Sequence, residues 1–390
     1  MALMTKRNFL IGGAVVVVGG FGAAAYRLKH PALVPLGYDF TADELAMARS
    51  LLEKYPSIDA HAHPGRTFVS GAENVSGMSR AAVILGSFES RSIGDMQAGG
   101  LTAAAFAAVA DFQAIGFVDE GLAAVREFEP GEAWASYQRQ IANLQQLVDS
   151  GLAYPVRSVS DFAAARKAGK PGALFTVEGG DYLEGRADRV VQSYADGVRS
   201  VTLMHYRTNE LGDIITGTPV HNGITPAGIA VVKAMNTAGM LIDVAHASEA
   251  TAFGIIKASS RPVMASHVHI HPAKAGGIDH PRFVSRDLAS AVAETGGGLL
   301  GAWPAGIGIT DLRGFVTRTF ELVDAVGIDH VCMGTDMDAN YKPVFDSYAR
   351  LPHYVAGLLR GGMGAPDIAK LIGGNFLRIM AAVEPCNPSE

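Results

Sequence analysis

Six strand-like apolar segments of this chain each end on a histidine or a carboxylate, and this repetition constrains the fold more than any other feature. The segments end at His63, Glu178, His205, His246, His267 and Asp336. In a parallel barrel of alternating strands and helices, functional side chains lie at the carboxyl ends of the strands. The pattern therefore predicts a barrel that collects these side chains at one end.

Helix-like and strand-like segments alternate after about residue 40. Thr225 is a typical helix-capping residue, and Pro226 after it suits the first turn of a helix. Together they predict a helix that ends at Gly239. We also expect a helix over residues 186–196 and strands over 198–205 and 240–246.

Strands are expected to end near residues 63, 110, 178, 205, 246, 267, 303 and 336. Eight strand–helix units without a polar linker predict one α/β domain over residues 40–385. Its fold would be a single (β/α)8 TIM-type barrel, with a metal site at the C-terminal ends of the strands.

The first thirty residues are typical of a targeting segment. Lys6 and Arg7 precede an apolar stretch over residues 9–25 that ends in alanines. A basic start, an apolar middle and a small-residue end predict a secretory signal peptide or a membrane anchor. We therefore expect residues 1–30 to direct export, which leaves the barrel periplasmic or otherwise extracytoplasmic, either free or held at the membrane.

The charge of the chain excludes one class of partner. The sequence has 32 Lys and Arg against 38 Asp and Glu, a formal net charge of -6, and it contains no basic run. Because phosphate binding needs clustered Lys and Arg, we expect no nucleic-acid partner. A small-molecule substrate is the better expectation.

Two histidine pairs and one glutamate have the spacing of metal ligands. His61 and His63 are two residues apart in a strand, so their side chains face the same side. Glu178 precedes two glycines and could bridge two ions, while His246 and His267 would end neighbouring strands. Histidine and carboxylate ligands without cysteine favour a hydrolytic zinc-type site.

Together these motifs resemble the membrane dipeptidase (renal dipeptidase) family, binuclear zinc peptidases of the amidohydrolase-like metal-dependent hydrolases. The resemblance spans about residues 50–380. It rests on IDAHAH (58–63), VEGG (177–180), LMH (203–205), GITPAG (223–228), MLIDVAH (240–246), PVMASH (262–267), HPR (280–282), HVCMGTDMD (330–338) and GGNFLR (373–378).

The resemblance implies a metal-dependent dipeptidase with two zinc ions per chain, and it leaves a homodimer open. It implies that His61 and His63 hold the first ion, that Glu178 bridges the two ions, and that His246 and His267 hold the second.

The resemblance also assigns three further roles. His205 would contact the scissile carbonyl and stabilise its oxyanion, and Arg282 would bind the terminal carboxylate of the substrate. Asp336 would handle the proton of the attacking water.

One residue departs from the family pattern, which has His-x-Asp where this chain has His61-Ala-His63. A neutral imidazole in place of a carboxylate leaves the metal cluster about one charge unit more positive. Two alternatives therefore stay open. One is another amidohydrolase-type enzyme with the same metal site, acting on a lactone, cyclic amide or ester, and the other is a non-catalytic, membrane-tethered binding protein on a degenerate barrel.

Overall fold

Eight parallel strands close into a barrel in the part of the chain that the computed structural model describes, residues 33–64, 87–119, 121–273 and 277–385. The strands within these ranges are β1 (Ile58–Ala62), β2 (Ala103–Val109), β3 (Ile115–Val118), β4 (Gly121–Ala124), β5 (Tyr154–Val156), β6 (Gly172–Glu178), β7 (Ser200–Thr202), β8 (Leu241–Asp243), β9 (Val263–Val268), β10 (Leu299–Ala302) and β11 (Val331–Met333). They pair in the order β2, β1, β11, β10, β9, β8, β7 and β6, and β2 also pairs with β6 to close the ring. The predicted parallel barrel is confirmed.

Three short strands lie outside this ring. β5 pairs in parallel with the first residues of β6, where Tyr154 lies opposite Gly172. β3 and β4 form an antiparallel hairpin in which Val118 lies opposite Gly121. The apolar pattern did not predict these strands because they are short and, in the hairpin, only half-buried or exposed.

Helices surround the barrel. Those in the described ranges are α1 (Ala42–Lys54), α2 (Ser87–Gly99), α3 (Glu132–Asp149), α4 (Val159–Ala168), α5 (Arg189–Ala195), α6 (Pro226–Ala238), α7 (Glu249–Ala258), α8 (Arg286–Ala293), α9 (Leu312–Val326), α10 (Leu351–Arg360), α11 (Ala365–Ala369) and α12 (Asn375–Val383). The expected start of α6 is confirmed, since the Thr225 hydroxyl accepts a hydrogen bond from the Gly228 N–H at 3.0 Å. The helix ends at Gly239, which has a φ of 76°.

Two strands and one helix are shorter than predicted. The segments 198–205 and 240–246 contain only β7 and β8, and the helix expected over 186–196 is α5. The residues beyond each strand end are still apolar because the loops above the barrel are buried; Met204 and Ala245 are both 1% exposed. An apolar run therefore marked burial correctly but overestimated the length of the strand.

An apolar cluster fills the amino-terminal end of the barrel. It takes one or more residues from seven of the barrel strands, including Ile58, Ala103 and Leu241 at the first positions of their strands. Phe376 and Ile379 of α12 belong to the same cluster. The C-terminal helix therefore closes this end of the barrel, and the opposite end is left for the polar side chains.

The predicted targeting segment, residues 1–30, lies outside the described residues. Within the described ranges, the helices are too short or too polar to span a lipid bilayer.

Candidate metal centre

Seven polar side chains meet in one buried cluster at the carboxyl ends of the barrel strands. They are His61, His63, Glu178, His205, His246, His267 and Asp336. Each is at most 9% exposed. The sequence pattern predicted all of them, and the fold brings them together.

Glu178, the last residue of β6, lies at the centre of this cluster. Its Oε1 atom lies 3.3 Å from His61 Nε2, 3.2 Å from His246 Nε2 and 3.5 Å from His267 Nε2. One carboxylate oxygen therefore faces three imidazole nitrogens. Gly179 follows with a φ of 94°, a turn that a residue with a side chain adopts only under strain.

The second oxygen of Glu178 faces a different pair of side chains. Its Oε2 atom lies 3.4 Å from His63 Nε2 and 3.3 Å from His205 Nε2. Because its two oxygens address separate sets of nitrogens, Glu178 has the placement that a carboxylate needs in order to bridge two cations.

Backbone contacts determine the orientation of the His63 ring. Its Nδ1 atom lies 3.1 Å from the carbonyl oxygen of Ala107. A carbonyl oxygen can only accept, so Nδ1 carries the proton and Nε2 keeps its lone pair. Nε2 lies 3.1 Å from His61 Nε2 and 3.2 Å from Asp336 Oδ1. The residue that departs from the family pattern therefore presents a ligand atom to the cluster.

His246 and His267 form the other half of the centre. Their Nε2 atoms are 2.9 Å apart, a separation at which two ring nitrogens need a proton between them or a cation beside them. His246 has a φ of 65° and lies three residues beyond the end of β8, so its position depends on the loop and not on the strand. Within the described chain, three overlapping groups each bring three ligand atoms within 4.8 Å: His61 with His63 and Asp336, His61 with Glu178 and His267, and Glu178 with His205 and His246.

The electrostatics of the cluster suit a cation. Burial raises the pKa of Glu178, but His205 and His61 outweigh it and hold that pKa well below its usual range. Burial is also the main cause that lowers the pKa values of His246 and His267 well below normal. Burial opposes protonation of His61, but Glu178 raises its pKa to about 9. Neutral imidazole and ionised carboxylate are the forms that bind metal, and a metal would displace the His61 proton.

Sequence reasoning missed Asp111. This fully buried carboxylate lies 2.6 Å from His205 Nδ1 and accepts the Tyr206 backbone N–H at 3.0 Å. Burial lowers the pKa of His205, but Asp111 outweighs it and raises that pKa above normal. Asp111 follows the apolar run 101–110, so the criterion that found Glu178 would have found it too.

Arg282 lies beside the centre and forms no ion pair with any described residue. It is 4% exposed, and its Nε and Nη2 atoms have no hydrogen-bond partner among the described residues. Its guanidinium carbon lies 5.1 Å from the Trp303 ring centroid and 6.0 Å from that of Tyr206. These rings lie 5.9 Å from the His267 ring and 4.6 Å from the His205 ring, respectively. The sequence predicted Arg282 but did not single out the two aromatic residues, which look like ordinary core positions.

Fold and cluster together define a parallel barrel with a candidate two-metal centre of the metal-dependent hydrolase type. Residues 45–389 match the family described as Membrane dipeptidase (Peptidase family M19), so the chain belongs to this family.

Two curated fungal dipeptidases are similar to part of this chain. Dipeptidase verJ of Clonostachys rogersoniana is 29% identical over 234 residues, which cover 58% of this chain and 59% of that protein. Dipeptidase tcpJ of Claviceps purpurea is 26% identical over 263 residues, 65% of this chain and 61% of the relative. The chain thus spans about three fifths of the length of these relatives.

Solved structures share the fold. The probable dipeptidase PvdM from Pseudomonas aeruginosa superimposes with a TM-score of 0.72 at 19% identity, over 88% of this chain and 99% of that one. A metallo peptidase from Rhodobacter sphaeroides, liganded with a phosphinate mimic of the dipeptide L-Ala-D-Ala, gives 0.66 at 18% identity, over 85% and 99%.

Proposed function

We propose that this chain is a zinc-dependent dipeptidase that hydrolyses the peptide bond of dipeptides. The observation that carries the proposal is the placement of Glu178 between two sets of imidazole nitrogens, with Arg282 close by, whose Nε and Nη2 atoms have no hydrogen-bond partner among the described residues. Family membership supports the same activity. The dipeptide mimic bound to the Rhodobacter sphaeroides protein supports the substrate class.

The donor set suits two zinc ions. His61 and His63 would hold the first ion, His246 and His267 would hold the second, and Glu178, which contacts all four imidazoles, would be shared by both. Bound zinc would polarise the scissile carbonyl and lower the pKa of the attacking water to near neutrality.

Two side chains at the rim of the cluster would act on the substrate. Asp336 Oδ1 lies 3.2 Å from His63 Nε2, within reach of a water at the centre, so Asp336 would take the proton of the water and pass it to the leaving amine. His205, held by Asp111, faces Glu178 Oε2 at 3.3 Å and would contact the carbonyl oxygen of the substrate.

Arg282 favours a dipeptide over the alternative substrates. A guanidinium binds a carboxylate through two parallel hydrogen bonds, and burial between aromatic rings strengthens the pair. The terminal carboxylate of a dipeptide would satisfy the free N–H groups, whereas a lactone or cyclic amide without a carboxylate would leave them unpaired. The convergence of the ligand set with Asp336 argues against a binding protein without catalysis.

The experiment begins with the purified chain from residue 31 onward. We expect it to contain about one to two zinc ions per chain and to hydrolyse dipeptides. Arg282→Ala should weaken dipeptide capture by about 2–5 kcal/mol, because the substrate carboxylate loses its desolvated partner. Metal analysis measures the zinc content, and steady-state kinetics on a dipeptide panel measures hydrolysis and dipeptide capture.

The matched control is the same dipeptide with its terminal carboxylate converted to an amide. Since this substrate has no charge for Arg282, the variant and the wild type should process it alike. Equal effects of Arg282→Ala on both substrates, or a folded wild type that takes up no zinc after loading, would contradict the proposal.

A further inference from the structure

A fully buried carboxylate, Asp243, lies one layer behind the metal centre and is saturated with hydrogen bonds. Its Oδ2 atom accepts the Thr202 hydroxyl at 2.6 Å and the Ser266 hydroxyl at 2.5 Å. Its Oδ1 atom accepts the backbone N–H groups of Ala245 at 3.0 Å and Ser266 at 2.9 Å. Asp243 ends β8 and joins β7 to β9 through these contacts. All four contacts place a donor against a carboxylate oxygen.

Ser266 connects Asp243 to a histidine of the centre. Its Oγ atom lies 2.9 Å from His267 Nδ1. A hydroxyl has one proton, and Ser266 donates it to Asp243 Oδ2. Ser266 Oγ must then accept the proton of His267 Nδ1. This leaves the lone pair of His267 on Nε2, which faces Glu178 Oε1 at 3.5 Å.

His246 lacks such a restraint. Its Nδ1 atom has no hydrogen-bond partner among the described residues. Its ring proton can therefore occupy Nε2, 2.9 Å from the lone pair of His267 Nε2, and move when a cation arrives. The two histidines expected to share the second ion thus differ, since only one of them has its tautomer set by the protein.

We propose that Asp243 and Ser266 form a relay that holds His267 in the tautomer a metal ligand requires, and that this relay sets the zinc affinity of the second site. Both are positioning residues that act through His267. The inference rests on the proposed two-metal function, which it deepens. Partners that fix the tautomer of a ligand histidine typically contribute about 10–100-fold in metal affinity.

A similar arrangement on the other side of the barrel shows why the effect should be confined to one site. Thr335 donates its backbone N–H at 2.9 Å, and also its hydroxyl, to the buried carboxylate of Asp59. Asp59 in turn accepts the His61 backbone N–H at 3.1 Å. The Asp59 carboxylate contacts the centre through the backbone N–H of His61, so it positions the end of a strand. Ser266, by contrast, contacts the ring of His267.

Two nearly isosteric variants test the relay. Ser266→Ala and Thr202→Val each remove one hydroxyl from Asp243 Oδ2, but only Ser266 contacts His267. Zinc titration against a chromophoric chelator should show a second-site affinity about 10–100-fold weaker in Ser266→Ala. The affinity of Thr202→Val should equal that of the wild type, and both variants should retain the first ion.

Asp243→Asn makes a sharper prediction. An amide nitrogen facing Ser266 would donate to the hydroxyl and free the serine proton to point at His267 Nδ1. The histidine would then carry its proton on Nε2 and lose its ligand atom. Second-site zinc binding should fall at least as far as in Ser266→Ala. If this variant does not fold, the Ser266 and Thr202 pair still decides the question.

Nitrogen NMR of zinc-free, ¹⁵N-histidine-labelled protein separates this inference from the proposed function. The wild type should show His267 protonated at Nδ1, with the signal assigned by its loss in His267→Gln. A wild type protonated at Nε2, or equal second-site affinity in Ser266→Ala and the wild type, overturns the relay. A wild type that has the expected tautomer but binds no zinc overturns the proposed function and the effect on zinc affinity, while the fixed tautomer of His267 stands.

Discussion

At the scale of single residues, a backbone contact orients His63, the departure from the family pattern, as a candidate ligand. The Ala107 carbonyl accepts the proton of Nδ1, and Nε2 faces His61 and Asp336. The substitution changes the charge of the centre, while a ligand atom stays in place.

We predict that His63→Ala loses the first ion and most of the activity, while Glu178, His246 and His267 retain the second ion. His63→Asp restores the carboxylate of the family pattern and should keep both ions. Zinc stoichiometry after dialysis, measured beside hydrolysis rates, checks both variants. Full zinc content in His63→Ala would mean that other residues hold the first ion, and the assignment of this ligand would be wrong.

At the scale of elements, β9, β10 and β11 approach each other closely where Ser266 lies. A Cβ atom built on either Gly301 or Gly334 would lie 1.7 Å from the Ser266 carbonyl oxygen. It would also lie 3.1 Å from the Cα atom of the other glycine. Glycine is therefore needed at both positions for steric reasons. Ser266, at this contact, is the residue that bonds Asp243 and His267.

Gly334→Ala should lower the free energy of unfolding by about 1–3 kcal/mol or more, because the added methyl group forces the strands apart. Gly94→Ala is the matched control. A Cβ at Gly94, within α2, meets no atom of the described residues within 4 Å, and alanine should stabilise the helix by up to about 1 kcal/mol. Denaturant unfolding compares the two, and an unchanged midpoint for Gly334→Ala would show that the strands can separate without cost.

At the scale of the whole molecule, the two ends of the barrel have separate tasks. The C-terminal helix α12 closes the amino-terminal end with apolar side chains, and the opposite end holds the candidate metal centre. We propose that residues 1–30 carry this protein out of the cytoplasm, as a cleaved signal or as an anchor. The basic pair Lys6 and Arg7 before the apolar stretch supports the proposal.

A fusion of residues 1–35 to a phosphatase that is active only after export should give an active reporter. The same fusion carrying Lys6→Gln and Arg7→Gln is the control and should be less active, because the basic start directs the segment into the export machinery. Cell fractionation would then separate released protein from anchored protein. Reporter activity absent in every compartment, with the fusion protein retained in the cytoplasm, would refute export.

The sequence by itself determined the barrel and the residues that converge in the centre. Both depend on local properties: apolar runs of strand length, and a histidine or carboxylate where each run stops. Since parallel strands all end at the same edge, residues such as Glu178 and His267 could be placed together without knowledge of their contacts.

Only the tertiary structure decided which ring nitrogens face the centre and which groups hold them there. His63 is oriented by a carbonyl 44 residues away, His205 by a carboxylate 94 residues away, and Ser266 by Asp243 across two strands. The orientation of an imidazole depends on partners that folding brings near. These partners can lie anywhere along the chain, so no sequence pattern identifies them. The true ends of β7 and β8 were likewise set by tertiary burial, since buried loops are as apolar as the strands they follow.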